Sequence, residues 1–365
     1  MSEWQTFCLK DLGKIVGGAT PSTNNPQNYG NKIAWITPKD LSTLQGRYIK
    51  KGSRSISRLG FKSCSCVLLP KHAILFSSRA PIGYVAIAKK RLCTNQGFKS
   101  IIPNKKIYFE FLYYLLKYHK DNISNIGGGT TFKEVSGATL GLFKVKIPPT
   151  CYEQQKIAST LSVLDQKIEN NHKINEILHT LAYKIYEYYF KYKPKNAKLE
   201  QIIIENPKSS IMVKNAQKTQ DKYPFFTSGD NILSYPKAII DGRNCFLNTG
   251  GNAGIKFYVG KASYSTDTWC ICANEFSDYL YLLLSSIKTH INQSFFQGTS
   301  LKHLQKNLLK KYPIYMPSAH EIKKFNQIIM PLLTLISINT RTSKKLEQIR
   351  DFLLPLLLKQ QVKPK

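Results

Sequence analysis

Two short segments carry the residue types that hold a phosphate. Gly129-Thr-Thr-Phe-Lys133 and Gly298-Thr-Ser-Leu-Lys302 each offer a glycine turn with free backbone N–H groups, two hydroxyls and a lysine. The hydroxyls of Thr130, Thr131, Thr299 and Ser300 would serve equally as N-caps of a following helix, and the two roles are compatible. Reading a base needs Arg, Lys, Asn or Gln held at a groove edge. Before the first segment the candidates are Arg54, Arg58, Arg79, Asn95 and Gln96, and before the second they are Arg243, Asn248 and Asn252. Together with Gly129, Lys133, Gly298 and Lys302 they form the expected DNA-binding set, although each residue type is also an ordinary solvated or structural one.

Bond-making chemistry has no comparable candidates. The sequence contains no G-x-x-x-x-G-K-[ST] phosphate loop, no H-E-x-x-H, no G-x-S-x-G and no Asn/Asp-Pro-Pro-Tyr/Phe motif of amino-methyltransferases. The Gly127–Gly129 run lacks the strand-turn-helix setting of a dinucleotide site. His172 and His320 fall on or beside long helices, and the other histidines are scattered. Cys64 with Cys66 and Cys270 with Cys272 have C-x-C spacing, no C-x-x-C pair exists, and alternate strand residues share a face, so core filling is expected rather than a metal. The expectation is a non-catalytic protein with no metal and no cofactor of its own, and reduced thiols in a cytoplasm.

What must position these segments is a feature that occurs twice: a proline, then a long helix with one apolar seam. Pro149 leads through Glu153 and Lys156 into Ile157, Leu161, Leu164, Ile168, Asn171, Ile174, Leu178, Leu181, Ile185 and Tyr188. Pro317 leads through Glu321 and Lys324 into Phe325, Ile329, Leu332, Ile336, Asn339, Thr342, Leu346, Ile349, Leu353 and Leu356. Steps of three and four keep each seam on one face, and both break step just after the matched Asn171 and Asn339. Roughly 39 residues at about 1.5 Å each give a rod of about 58 Å, too long to bury its stripe on a small domain. The nearest partner is the other copy, at about 1.5 kcal/mol or more per large aliphatic side chain buried. A module between the copies lets them lie antiparallel; the alternative is that each is a core helix of its own domain. Pro331 and Pro355 each remove a helical hydrogen bond, so a kink or early end is expected there.

The resulting layout is a mixed α and β segment over 1–150 with a helix at Tyr108–Lys117, a helix over 151–192, a second mixed segment over 193–318 and a helix over 319–365. Trp35-Ile-Thr-Pro-Lys-Asp40 finds an echo in Phe225-Phe-Thr-Ser-Gly-Asp230, and Ile74-Leu-Phe-Ser-Ser-Arg79 one in Cys245-Phe-Leu-Asn-Thr-Gly250. At 365 residues, 42% hydrophobic and 12% aromatic, the chain supports two ordinary cores. Lys plus Arg number 53 against 22 Asp plus Glu, and the resulting +31 is spread along the chain, so a polyanion is the expected partner. No stretch of about 18 apolar residues and no basic amphipathic helix argue for a membrane.

The chain resembles the specificity subunits of type I restriction-modification systems. The resemblance rests on Gly17-Gly-Ala-Thr-Pro-Ser22, Trp35-Ile-Thr-Pro38, Ser78-Arg-Ala-Pro-Ile-Gly83, Thr94-Asn-Gln-Gly-Phe98, Gly129-Thr-Thr131 and Pro148-Pro149 with Glu153-Gln-Gln-Lys-Ile157, in that order. The second half lacks clear counterparts of the first and fourth, although Ser265-Thr-Asp-Thr268 falls nearby. The resemblance implies an α+β chain of two α/β target recognition domains (1–150 and 193–318) separated by two long helices that pair as an antiparallel coiled coil. It implies a DNA reader bound to double-stranded DNA, to two modification subunits that carry S-adenosylmethionine and methylate adenine, and to restriction subunits. A stand-alone DNA-binding regulator or architectural protein with a coiled-coil spacer, and an enzyme with its own active site, are the competing readings.

Overall fold

The computed structural model describes residues 3–79, 81–129, 133–216 and 222–364. Its α+β architecture divides into two compact units, Met1–Asn170 with Lys344–Lys365, and Asn171–Ser343, so each long helix contributes one half to each unit. Among the described residues no helix is long and apolar enough to cross a membrane, and no group of three or more His, Cys, Asp or Glu could hold a metal ion.

The first unit contains β1 (Gln5–Cys8), β2 (Gly13–Gly17), β3 (Tyr29–Ile36), β4 (Tyr48–Ile49), β5 (Arg54–Ile56), β6 (Ile74–Phe76), β7 (Val85–Ala88), β8 (Cys93–Thr94), β9 (Lys99–Pro103) and β10 (Lys144–Ile147). They form a five-stranded sheet in the order β2-β9-β6-β7-β4, a three-stranded sheet β5-β3-β8, and the pair β1-β10. Central β6 is an Ile-Leu-Phe run buried on both faces, as a strand covered on two sides must be. Ile74 and Phe76 join Phe111, Leu112, Leu115 and Leu116 of the helix Phe109–Asn125 in one core with Ile157 and Leu161 of the first long helix. That shorter helix was expected to stop at Lys117, but it runs to Asn125 because no breaker precedes Gly127.

The second unit repeats the plan with β11 (Ala197–Lys198), β12 (Ile204–Glu205), β13 (Tyr223–Phe226), β14 (Leu233–Tyr235), β15 (Arg243–Asn248), β16 (Ile255–Val259), β17 (Ser263–Tyr264), β18 (Thr268–Cys272), β19 (Phe296–Gln297), β20 (His303–Leu304) and β21 (Pro313–Ile314). The order β12-β18-β15-β16 matches β2-β9-β6-β7, β14-β13-β17 matches β5-β3-β8, and β11-β21 matches β1-β10. Strand β4 has no counterpart in this match.

The long helices span Cys151–Tyr186, extended by a π turn at Glu187–Lys191, and Ala319–Leu358. The hydroxyl of Thr150 accepts from the Glu153 N–H at 3.2 Å, and at the second start Ser318 and Glu321 exchange bonds as a capping box. Buried Gln154 ties the first helix to its domain, accepting from the Tyr108 N–H at 2.7 Å and donating to the Lys106 and Pro148 carbonyls. Within the first unit Asp165 meets Arg350; within the second, Asn171 meets Ser343, Asn175 meets Thr340 and Phe190 meets Phe325. Numbers fall on one helix as they rise on the other, so the pairing is antiparallel. The second helix continues through Pro331 and Pro355 without the expected early end.

The seam itself departs from expectation past Asn171. Ile157, Leu161, Ile168, Phe325, Ile329 and Ile336 are buried, and Leu164, Leu178, Ile185, Leu332, Leu346 and Leu353 are half-buried. Leu181 and Ile349, read as seam residues, are instead 45% and 47% exposed, and Ile174 and Tyr188 also face solvent. The positions taken in the first helix are Asn175, Leu178, Ala182 and Ile185, which continue the regular three-four stepping with no break. Asn175 donates to Thr340 Oγ1 and to the Ile336 carbonyl at 3.4 Å and accepts from Asn339 at 3.0 Å, so a polar layer occupies the place where an apolar residue was sought.

Candidate nucleic-acid interface

In the first unit the segments singled out by sequence converge on one turn, Thr94–Phe98. The Ala19 N–H donates to the Thr94 carbonyl at 3.0 Å, the Asn95 N–H to Ile36 at 2.9 Å, and the Ser78 N–H to Gly97 at 2.8 Å. The Val135 N–H then donates to the Ser78 carbonyl at 3.0 Å, and Gly128 bridges Glu134, which brings Gly127–Gly129 and Lys133 alongside. A Cβ on Gly18 would lie 2.0 Å from the Asn95 carbonyl oxygen, so that close approach requires glycine. The side chain of Thr20 donates to Gln96. The motifs are therefore a backbone frame that fixes loops beyond the carboxyl end of β6.

The second unit builds the same frame on different residues. Phe225 pairs with Ser263 and Phe226 with Tyr264 in parallel, as Trp35 pairs with Cys93 and Ile36 with Thr94. The Ser265 N–H donates to Phe226, Thr249 to Asp267, and Leu304 to Thr249, reproducing the bonds of Asn95, Ser78 and Val135. Tyr264–Thr268 thus stands where Thr94–Phe98 stands in the first unit, a correspondence hidden in the sequence because the two share no residue type in register. The glycines Gly129 (φ +118) and Gly298 (φ +140) both adopt the backbone conformation that favours glycine, as their matched segments require.

The frame gathers some candidates and leaves others elsewhere. Gln96, Gly129 and Lys133 are exposed around the first frame, where Arg79 reaches Glu134 at 3.6 Å and Lys99 reaches the same carboxylate at 3.3 Å. Asn95 spends its Oδ1 on the Gly97 N–H. Thr130 and Thr131 lie outside the described residues, as does Ala80 of the Ser78–Gly83 segment. Arg54 and Arg58 sit apart, on β5 and the short helix after it, with the Arg54 guanidinium 4.4 Å from the Tyr29 ring centre. In the second unit Gly298, Thr299, Ser300 and Lys302 are exposed, and the Lys302 carbonyl accepts from the Gly251 N–H beside Asn252.

Two candidates are engaged inside the protein instead. Arg243 forms a two-pronged ion pair with buried Asp278 and also donates to Thr334 and the Met330 carbonyl, so its guanidinium serves packing rather than a groove. Burial pushes the Asp278 carboxyl up, against the opposing pull of Arg243. Asn248 is buried, donates to the Asn252 carbonyl and accepts from Lys256 at 3.2 Å. Lys256, which sequence reading passed over, also donates to the Thr227 carbonyl at 2.9 Å, and burial lowers its pKa. Spacing alone held no signal for it, since it sits alone in an apolar strand.

Comparison with known proteins agrees with this geometry. The family model described as the type I restriction modification DNA specificity domain matches residues 1–179 and 195–348, one match per half. The chain is 33% identical over 403 aligned positions, 98% of its length and 93% of the relative's, to the type I restriction enzyme MjaIX specificity subunit of Methanocaldococcus jannaschii. It is 29% identical to the HindI specificity subunit of Haemophilus influenzae across 48% of this chain and 39% of that one. A solved type I restriction-modification S subunit from M. genitalium superposes with a TM-score of 0.64 at 18% identity, covering 98% of this chain and 96% of that one.

Proposed function

The chain belongs to the type I restriction modification DNA specificity family, and from that premise we propose that it is the DNA-reading subunit of a type I complex, each unit reading one half of a split target. The observation that carries this reading is the same backbone frame built twice, in one register, with different side chains around its opening. Equivalent frames suit two readers on two half-sites, and unlike residues at matched positions, Arg79 with Glu134 in one and Gly250 with His303 in the other, support halves that differ. The loops at Lys133 and Lys302 would meet phosphates while neighbouring side chains address base edges. Such a target is asymmetric, and the helix pair sets the number of unread base pairs between its halves.

Chemistry on the DNA would belong to the partners: two modification subunits that carry S-adenosylmethionine and methylate an extruded adenine, and restriction subunits that join for cleavage. Support for paired docking comes from the helices. Asp165, His179 and Tyr186 flank the seam on the side that meets Tyr114, Tyr281 and Tyr279 of the domains. The other flank is apolar and exposed, with Val163, Ile349 and Phe352 in the first unit and Ile177, Leu181, Leu335 and Ile338 in the second. An outward apolar face in each unit suits one modification subunit apiece. With Leu181→Asp and Leu335→Asp together, the modification subunit should co-purify at about one copy instead of two; two retained copies would place docking elsewhere.

The reading is tested by co-expressing this chain with a candidate modification subunit in an unmethylated bacterial cytoplasm and mapping methylated adenines by long-read sequencing. A new bipartite, asymmetric motif with a fixed spacer is expected. A stable complex that binds DNA but deposits no methylation would favour a stand-alone regulator.

A further inference from the structure

The first unit carries a cationic cluster that none of the roles above uses. The Lys89 N–H donates to the Ile49 carbonyl at 2.9 Å and the His72 N–H to Ala88 at 2.8 Å, which sets three turns side by side at one end of the five-stranded sheet. Those turns hold Lys50, Lys51, Lys71, Lys89, Lys90 and Arg91, all exposed. None forms an ion pair or side-chain hydrogen bond among the described residues. Two acids of the same unit are already engaged elsewhere: Glu110 accepts from Arg47, Tyr48 and Tyr108, and Asp40 accepts from the N–H groups of Thr37 and Ser53. Six exposed cations on adjoining turns with no protein counter-charge suit an anionic partner.

Position separates this cluster from the frame. Strand β6 runs from the cluster end at Ile74 to the frame end at Phe76 and Ser78, and β7 returns from the frame to Ala88. Among the described residues the second unit has no equivalent: β4 lacks a counterpart, and the Leu69–Leu92 bridge corresponds to Ile240–Ala262, which sets Val259, Gly260 and Lys261 where Lys89, Lys90 and Arg91 stand.

We infer that this cluster is a second DNA contact, on backbone phosphates outside the base pairs addressed by the frame, present on one side of the target only. The inference rests on the DNA-reading role proposed above. Phosphates of the spacer and of the outer flank share the chemistry, and the test separates them. The assembled complex is titrated with its target duplex across 50–200 mM salt, as wild type and as Lys89→Gln/Lys90→Gln/Arg91→Gln, beside an equal-charge control, Lys105→Gln/Lys323→Gln/Lys359→Gln.

Each phosphate that is no longer neutralised lowers the log–log salt slope by about 0.9, so the cluster variant should lose about 2.7 from its slope. Over that fourfold rise in salt, wild type should lose roughly forty-fold more affinity than the variant, while the control changes little. The methylated sequence should stay the same. Uncharged methylphosphonate links placed in the spacer or in the flank of one half-site should mimic the variant in only one of the two positions, and that position identifies the source. An unchanged slope in the cluster variant, or an equal change in the control, overturns the inference. Because wild type must first bind and methylate a bipartite site, failure of the broader reading would be seen separately.

Discussion

Replacing Asp165 by alanine will destabilise the first unit by about 3 kcal/mol, since removing the buried member of the ion pair leaves the largely buried Arg350 with only the exposed Asp351 as counter-charge and the Tyr114 hydroxyl without its acceptor. Asp165 accepts from the Tyr114 hydroxyl at 2.6 Å and from Arg350 at 2.6 Å, with side-chain exposures of 6% for Asp165 and 13% for Arg350. One carboxylate thus joins the Phe109–Asn125 helix, the first long helix and the second. For a unit of this size the loss corresponds to a fall in melting temperature of about 6 °C or more, read by calorimetry. Combining Asp165→Leu, Arg350→Met and Tyr114→Phe should recover most of it, because the whole network is then replaced by apolar contact. A single alanine variant that melts within about 2 °C of wild type would mean that water already shares the site.

Inserting seven residues into both helices at once, after Asn170 and after Ser343, will move methylation to a target with a longer spacer and leave both half-sites unchanged. Two added turns contribute about 10.5 Å of rise, which bounds the increase at about three base pairs of 3.4 Å each. Each added pair also turns the far half-site by about 35°, so one to three pairs is the expected range. These points lie where the two units divide, so contacts inside each unit, such as Arg47 with Glu169, are kept. Methylation at the original spacing should fall more than tenfold in long-read maps. A changed half-site would show that the helices also shape the reading surfaces.

The repeated helices were legible because their apolar residues are dense and their caps, Thr150 with Glu153 and Ser318 with Glu321, recur at one spacing. The same density misassigned Leu181 and Ile349. Each helix bears a second, outward apolar stripe next to the seam, and hydrophobicity alone cannot say which stripe meets the other helix. The choice is made by Asn175, through bonds to Thr340 and Asn339 formed only in the folded pair, and by Ala182, which is small enough to be buried there. At the frame, sequence found the turns but not their employment. Gly97 and its counterpart Asp267 act through backbone carbonyls, for which Gly and Asp serve alike, while Ser78 and Thr249 each donate to that carbonyl through both N–H and hydroxyl, a role that Ser and Thr share. Arg243 was misleading for a related reason, since a guanidinium aimed at a groove and one aimed at Asp278 look identical until the fold brings the acid beside it.

The division of each long helix between units also governs how the protein is made. Ile157 and Leu161 share a core with Leu354, Leu357 and Leu358, residues that leave the ribosome almost two hundred positions later. The second unit, continuous from Asn171 to Ser343, can close while its last helix is still emerging. The unit synthesised first is therefore completed last, and until then its helix presents an uncovered apolar stripe to chaperones and proteases. A chain stopped before Lys344 would forfeit more than its terminal helix, because the amino-terminal reader would never acquire the surface that finishes it.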